Sequence, residues 1–550
     1  MPRALSLGLD FGTSSVRCLV VDAANGDELG TAVVGYAHGD DGVLYGDDPL
    51  LARQHPGDWF DSATEAIVSA LRGIGGEAGA IVGIGVDTTG STPVPVDARC
   101  RPLALDPRFA DDLAAMAWLW KDHTSHSEAE EITELAKTMG RPFLAKCGGT
   151  YSSEWFWSKI LHCARTAPHV FDAAASWVEC ADLIPAWLTG QSDPGTISRS
   201  ICAAGHKAMF HTAWGGLPDA EFLAALDPRL ADLRGRLYSG AEPSDRIAGH
   251  LRADLAGELG LPAGIPVAVG AFDAHMGAVG SGIRPGTLVK IMGTSTCDLM
   301  VGPDDGTIPD IEGVCGIVPG SILPDMLGIE AGQSAVGDLF EWVAEQLAAG
   351  ADHATLNERA AELRPGESGL LMLDWNNGNR TVLVDPRLTG LLVGQTLKTT
   401  PVEIYRAAIE ATAFGARRII QQIRDAGVEV REIVTGGGIA ERSPLTMQIY
   451  ADVCNMPIRI SRSPQTCALG AAIFGSVVGG THQDVAAAVN AMTGFKDVVY
   501  RPNARAVAVY QSLYELYETL HDAFGDTGRH PPLDGVMKRF MAIREEAASA

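Results

Sequence analysis

A Gly-Thr-Ser turn set between two apolar runs occurs twice in this chain, once in each half. Leu5–Leu9 leads into Asp10-Phe11-Gly12-Thr13-Ser14-Ser15 and leaves through Val16-Arg17-Cys18-Leu19-Val20-Val21. Leu288-Val289-Lys290-Ile291-Met292 leads into Gly293-Thr294-Ser295-Thr296 and leaves through Cys297-Asp298-Leu299-Met300-Val301. β-Rich runs on both sides of a short turn predict a hairpin at each place. Glycine lets the backbone approach a ligand, and the turn amides with the Thr and Ser hydroxyls form a concavity suited to an anion. One such hairpin per half predicts two related domains that both face a polyphosphate.

A chain of 550 residues is long for one core, so two domains of about 250 residues each are expected. Hydrophobic content of 46% with 20% charged residues fits a globular protein. A formal charge of −26 argues against a nucleic acid or an anionic membrane as partner, because both repel an acidic surface. It leaves room for a local basic site. No apolar run reaches the roughly 18 residues needed to span a bilayer. Met1-Pro2-Arg3 runs straight into the first strand without a secretory signal pattern. The ten cysteines are scattered with no Cys-x-x-Cys pair, the pattern of reduced thiols in a cytoplasmic protein.

The first domain is expected over residues 1–282. After its hairpin, Asp58-Trp59-Phe60 opens a helix to about Leu71, and Ile81–Val86 is a buried strand ending at Asp87-Thr88-Thr89-Gly90. Residues 109–190 read as a mostly helical, Trp-rich insertion forming one wall of a cleft. Pro266–Phe272 is a short strand that ends on the carboxylate of Asp273. The second domain, 283–525, repeats the order hairpin, helices, late strand, the last being Glu432–Thr435 followed by Gly436-Gly437-Gly438. Tyr510, Leu513, Tyr514, Tyr517 and Leu520 fall on one face of a closing helix. Residues 526–550 read as a surface tail.

Several residues stand where chemistry is expected. Asp10, at a strand end beside the first loop, can hold Mg²⁺ directly or through water, or it can simply form a turn. Arg17 either steadies phosphate or is an exposed strand residue. Gly437 and Gly438 allow close approach of a flat ligand such as adenosine, or make a flexible turn. Asp273 can accept a proton from a hydroxyl attacking a γ-phosphate; otherwise it caps a helix. His275, two residues on, reads as structural. Gly-x4-Gly-Lys-Ser/Thr, Gly-x-Ser-x-Gly, His-Glu-x-x-His and Gly-x-Gly-x-x-Gly are all missing, which sets aside P-loop kinases, serine hydrolases, zincins and simple dinucleotide enzymes.

The Asp-x-Gly-Thr turn resembles that of actin-like ATPases. With the second loop, the Asp273 strand and the Gly-rich strand end in this order, the chain resembles the FGGY carbohydrate kinases. Its wording is similar to the ribulokinase branch at Trp120-Lys121-Asp122-His123, Gly149–Trp155, Ala204–Met209, Phe272–Gly280, Glu330–Asp338 and Met447–Val453. The resemblance runs over about residues 5 to 525. It implies an α/β fold of two actin-like, ribonuclease H-like domains with ATP and Mg²⁺ in the cleft between them. It implies Asp10 at the metal, and Gly12, Thr13, Ser14, Arg17, Gly293, Thr294, Ser295, Gly437 and Gly438 at the nucleotide. Asp273 would be the catalytic base, and Trp120, Lys207 and Glu330 would join it in contacting the sugar. Physically, Lys207 can donate to hydroxyls, Glu330 can accept from them, and Trp120 offers an apolar face.

The activity so implied is ATP-dependent phosphorylation of L-ribulose, with D-ribulose as a further acceptor, at the 5-hydroxyl in L-arabinose breakdown. Partners would be a ketopentose and ATP, in a cytoplasmic enzyme expected as a homodimer. Two stretches depart from the family. Where an Asn commonly follows the Gly-rich turn, this chain has Ile439-Ala440-Glu441-Arg442-Ser443-Pro444, with Ser443 as the replacement contact. Thr88-Thr89-Gly90-Ser91-Thr92-Pro93, which would border the sugar, has its own wording. A xylulose, ribitol or glycerol kinase remains an alternative, as does an actin-like ATPase without a sugar, or an inactive sugar sensor.

Overall fold

The computed structural model describes residues 3–525 and scattered positions between 528 and 547. It divides into two compact units, and neither is continuous in sequence. The first comprises Met1–Gly282, Gly316–Gly328 and Gln465–Gly494; the second comprises Ile283–Cys315, Ile329–Pro464 and Phe495 onward. A single division after residue 282 therefore misses two returns of the chain to the first unit. The expected tail, 526–550, lies mostly outside the described residues; of those described, Ile543 is buried.

In the first unit, Leu5–Phe11 and Ser15–Asp22 form the expected hairpin, extended by a third antiparallel strand, Glu28–Gly35. On its other side Leu5–Phe11 pairs in parallel with Ile81–Thr88, which pairs in parallel with Pro266–Ala268 and, further along, with Ala271–Phe272. All seven residues of Leu5–Phe11 are buried, as a central strand with covered faces requires. One cover is the helix Thr466–Val478, which arrives from far along the chain. Gly8 and Gly85 are register partners, and each meets a backbone carbonyl of this helix, Ala468 and Ala471 respectively. Ser6 locks the same contact by donating from Oγ to the Ala472 carbonyl at 2.5 Å.

Residues 109–190 contain the helices His126–Thr138, Phe156–Thr166, Pro168–Ala173 and Cys180–Thr189. Trp118, Trp155, Trp157 and Trp177 are buried in a core of their own with Phe143, Phe156 and Phe222. These indoles fill an interior instead of lining a wall, as their large apolar area favours.

The second unit repeats the topology. Gly286–Met292 and Thr296–Pro303 form the hairpin, Val430–Gly436 adds in parallel beside the first of them, Ile458–Ser461 adds in parallel beyond it, and Phe495–Tyr500 closes antiparallel. The long helix Pro401–Asp425 starts with a capping box, Thr400 and Glu403, and a proline in its first turn. The closing helix runs Ala504–Phe524 with Tyr510, Leu513, Tyr514, Tyr517 and Leu520 buried, the face its spacing predicts.

Candidate active site

Both Gly-Thr-Ser loops are closed by a bond from the glycine amide, the first being one residue longer, and they are braced differently. Gly12 N donates to Ser15 O at 2.9 Å, and Gly293 N to Ser295 O at 3.0 Å. A Cβ on either glycine would meet only a backbone oxygen of its own turn, at 3.4 and 3.8 Å, so both loops present an open backbone. In the first loop Gln54 Nε2 donates to Thr13 O at 2.7 Å, Tyr36 Oη to Gly12 O at 3.2 Å, and Trp120 Nε1 to Thr13 Oγ1 at 3.0 Å. Trp120 is thereby tied to the first Gly-Thr-Ser loop, and its indole is half-buried. In the second loop the turn Val336–Asp338 points its amides back, Val336 N to Thr294 O at 2.8 Å and Gly337 N to Gly293 O at 3.1 Å. Beneath it the buried Lys290 Nζ donates to Asp298 Oδ1 at 2.9 Å and to Gln333 Oε1 at 2.8 Å.

Three carboxyls collect at the carboxy ends of neighbouring parallel strands of the first unit. Asp10 and Asp87 are register partners, and Asp87 also pairs with Ala271, two residues before Asp273. Asp10 accepts from Arg17 Nη1 at 3.2 Å. Burial raises the Asp10 pKa against the pull of Arg17. Asp87 is fully buried, and burial followed by the Asp10 and Asp273 charges drives its pKa well above the usual carboxylate range. Arg17, expected either on phosphate or exposed, is about a third exposed and paired with Asp10. Asp87 escaped the reading of the sequence. Its signal was there: an apolar run ending in Asp, as Leu5–Leu9 ends in Asp10.

Asp273 is the first residue of the helix Asp273–Gly280, and its Oδ1 accepts from the amide of Ala274 at 2.7 Å. His275, read as structural, is buried with Nε2 3.0 Å from Nε2 of His206. The neighbouring Lys207 is buried, with its ammonium 5.3 Å from the Trp155 ring centre and 5.8 Å from that of Phe272. An ammonium within about 6 Å of a ring centre is attracted by the ring quadrupole. Tyr151 Oη donates to Lys207 O at 2.6 Å, which fixes the helix end that carries this lysine.

The loop Thr88–Thr92 rests on a second buried pair that the sequence did not reveal. Glu179 accepts from Ser91 Oγ and from Thr92 N, the latter at 2.7 Å. Lys159 Nζ donates to the carbonyls of Ser91 at 2.9 Å, Leu119 at 2.8 Å and Trp118 at 3.2 Å. Burial lowers the Lys159 pKa to about 7 and raises that of Glu179 to about 7. The lysine thus joins the loop after Ile81–Thr88 to the segment that presents Trp120.

On the second unit, Glu330 is buried at the end of the strand Met326–Ala331 and accepts from Arg380 Nη2 at 2.9 Å. Gly437 has φ 95°, and a Cβ there would crowd the Met292 carbonyl, so this turn requires glycine. Ser443 has partners within its own unit. Its Oγ donates to Asn357 Oδ1 at 2.6 Å and accepts from Thr446 N at 3.2 Å, which caps the helix Pro444–Cys454. A buried hydroxyl so engaged belongs to the fold.

The chain matches the model for the N-terminal domain of the FGGY family of carbohydrate kinases over residues 5–280 and that for the C-terminal domain over 288–478. It is 43% identical over 571 residues to a ribulokinase of Shouchella clausii, covering 99% of each chain. It is 40% identical over 566 residues to a ribulokinase of Halalkalibacterium halodurans, covering 99% of this chain and 98% of the other. A crystal structure of xylulose kinase from Rhodospirillum rubrum shares the fold with a TM-score of 0.80 at 24% identity, over 94% of this chain and 98% of that one. The chain belongs to the FGGY family of carbohydrate kinases.

Proposed function

We propose that this kinase transfers the γ-phosphoryl group of ATP to the 5-hydroxyl of ribulose, with L-ribulose as its preferred acceptor. The observation that carries this reading is the near-full-length likeness to chains named ribulokinases. Asp273 is the proton acceptor: a carboxylate at the start of a helix, beside the ring of Phe272 that Lys207 faces. It takes the proton of the attacking hydroxyl as the O–P bond forms, and ADP leaves in line. Lys207 donates to the keto oxygen or a hydroxyl, Trp120 offers an apolar face, and Glu330, oriented by Arg380, accepts from hydroxyls.

The nucleotide is held by the amides and hydroxyls of Gly12, Thr13, Ser14, Gly293, Thr294 and Ser295, with Gly437 and Gly438 admitting the adenosine. Arg17 contributes charge while steadying Asp10. Magnesium fits the first unit chemically, since hard cations take oxygen ligands and Asp10 stands among strand-end carboxyls. When bound, the ion supplies positive charge toward the phosphate oxygens. The ten cysteines are free thiols, which supports a reducing, cytoplasmic setting. Among the described residues no helix is long and apolar enough to cross a membrane.

Product analysis tests the proposal. After incubation with ATP, Mg²⁺ and L-ribulose, NMR should show a phosphate ester on carbon 5. An ester on another carbon, or none, counts against it.

A further inference from the structure

Asp87 is the most exacting buried group in the first unit. Its side chain is 0% exposed, and among the described residues neither carboxyl oxygen accepts from an N–H or hydroxyl donor; the carboxyl it faces is that of Asp10. Leaving a carboxyl in this state costs several kcal/mol unless a proton or a cation compensates it. Its neighbours sharpen the problem. Asp10 is its register partner, and Asp273 follows the strand paired on its other side. Asp10 is partly committed to Arg17, whereas Asp87 brings two oxygens with no donor.

We propose that Asp87 is a direct oxygen ligand of the divalent cation that accompanies the nucleotide, completing the site that Asp10 begins. This inference rests on the kinase reading and adds a residue to it. A hard cation takes six or more oxygens and is commonly held by one or two protein carboxylates plus phosphates and water. Two carboxylates in register on adjacent parallel strands supply such a pair from a rigid sheet, with no loop to order. The competing view is a protonated strut in which Asp87 donates to Asp10. The two views part on one substitution. Asp87→Asn keeps size and can donate, so it preserves a strut, but it removes the anionic ligand.

The test uses the full-length protein with ADP and Mn²⁺ as the probe, free Mn²⁺ being counted by electron paramagnetic resonance. Relative to wild type, Asp87→Asn should retain Mn²⁺ at least about 10–100-fold more weakly, since a partner that only supports a ligand is already worth that much. Metal-free ADP and L-ribulose should bind both proteins equally. Asp87→Ala, which has no side-chain oxygen to offer the ion, should reproduce the loss if the Asn variant folds poorly. Equal Mn²⁺ retention in wild type and a folded variant overturns the proposal and leaves the strut. Sugar phosphorylation by the wild type is measured separately, so failure of the kinase reading is distinguishable from failure of the role given to Asp87.

Discussion

Replacing Gly8 with alanine should unfold the first unit far more readily than any loss of contacts could. A Cβ at Gly8 would stand 2.8 Å from Ala472 N and 2.9 Å from Ala468 C, with Ala468 O nearer still. Ordinary contacts are about 3.5–4.0 Å between carbon atoms. Every obstructing atom is backbone, so no rotamer relieves the clash. The helix Thr466–Val478 would have to move by more than half an ångström, yet Gly85 and Gly83 hold it against the next strand in the same way, at Ala471 and Gly475. Overpacking costs about 1–3 kcal/mol and occasionally more; with no side chain to yield, about 3 kcal/mol or more is expected. At about 2–4 °C per kcal/mol this lowers the melting temperature by roughly 6–12 °C. Urea titration followed by circular dichroism measures the change. Gly257→Ala is the control: nothing lies within 4 Å of its Cβ in the helix Ala253–Leu259, and the change should stabilise by about 0.5–1 kcal/mol. A Gly8→Ala protein within about 0.5 kcal/mol of wild type would refute the account of how this helix packs on the sheet.

Further changes test the chemistry and its scaffold. Asp273→Asn should lower turnover by roughly 10²–10⁴-fold with ADP affinity and melting temperature retained; near-normal turnover would remove Asp273 as the base. Lys159→Met should destabilise by about 1–3 kcal/mol, because three buried carbonyls lose their donor, and it should raise the sugar KM by loosening Thr88–Thr92. Differential calorimetry and steady-state kinetics report both effects, and an unchanged melting temperature would contradict the role given to this lysine.

The hairpins were legible because their signal is local: a Gly-Thr-Ser turn between apolar runs says what the next few residues do. Gly12 and Gly293 close their turns with the same kind of amide-to-carbonyl bond. The closing helix was legible for the same reason, since its buried Tyr and Leu residues repeat with helical period. The return of Gln465–Gly494 to the first unit was not, because the contact of Ser6 with Ala472 joins positions too distant for any window to link. The glycines at 8, 83 and 85 look like ordinary strand interruptions until the helix that needs them is in place. Ser443 carried a second, local signal beside its family position: Thr446 three residues on marked a helix cap. The Trp-rich segment showed its helices and hid which way the indoles faced, because aromatic content alone does not separate a core from a wall.

The central claim is that this kinase acts on ribulose, and acceptor choice tests it most directly. ADP release from Mg-ATP would be followed with L-ribulose, D-ribulose, L-xylulose, D-xylulose, ribitol and glycerol under identical conditions. The account predicts the highest kcat/KM with L-ribulose and a smaller value with D-ribulose. A preference for xylulose or glycerol, or ATP hydrolysis indifferent to every acceptor, would contradict it.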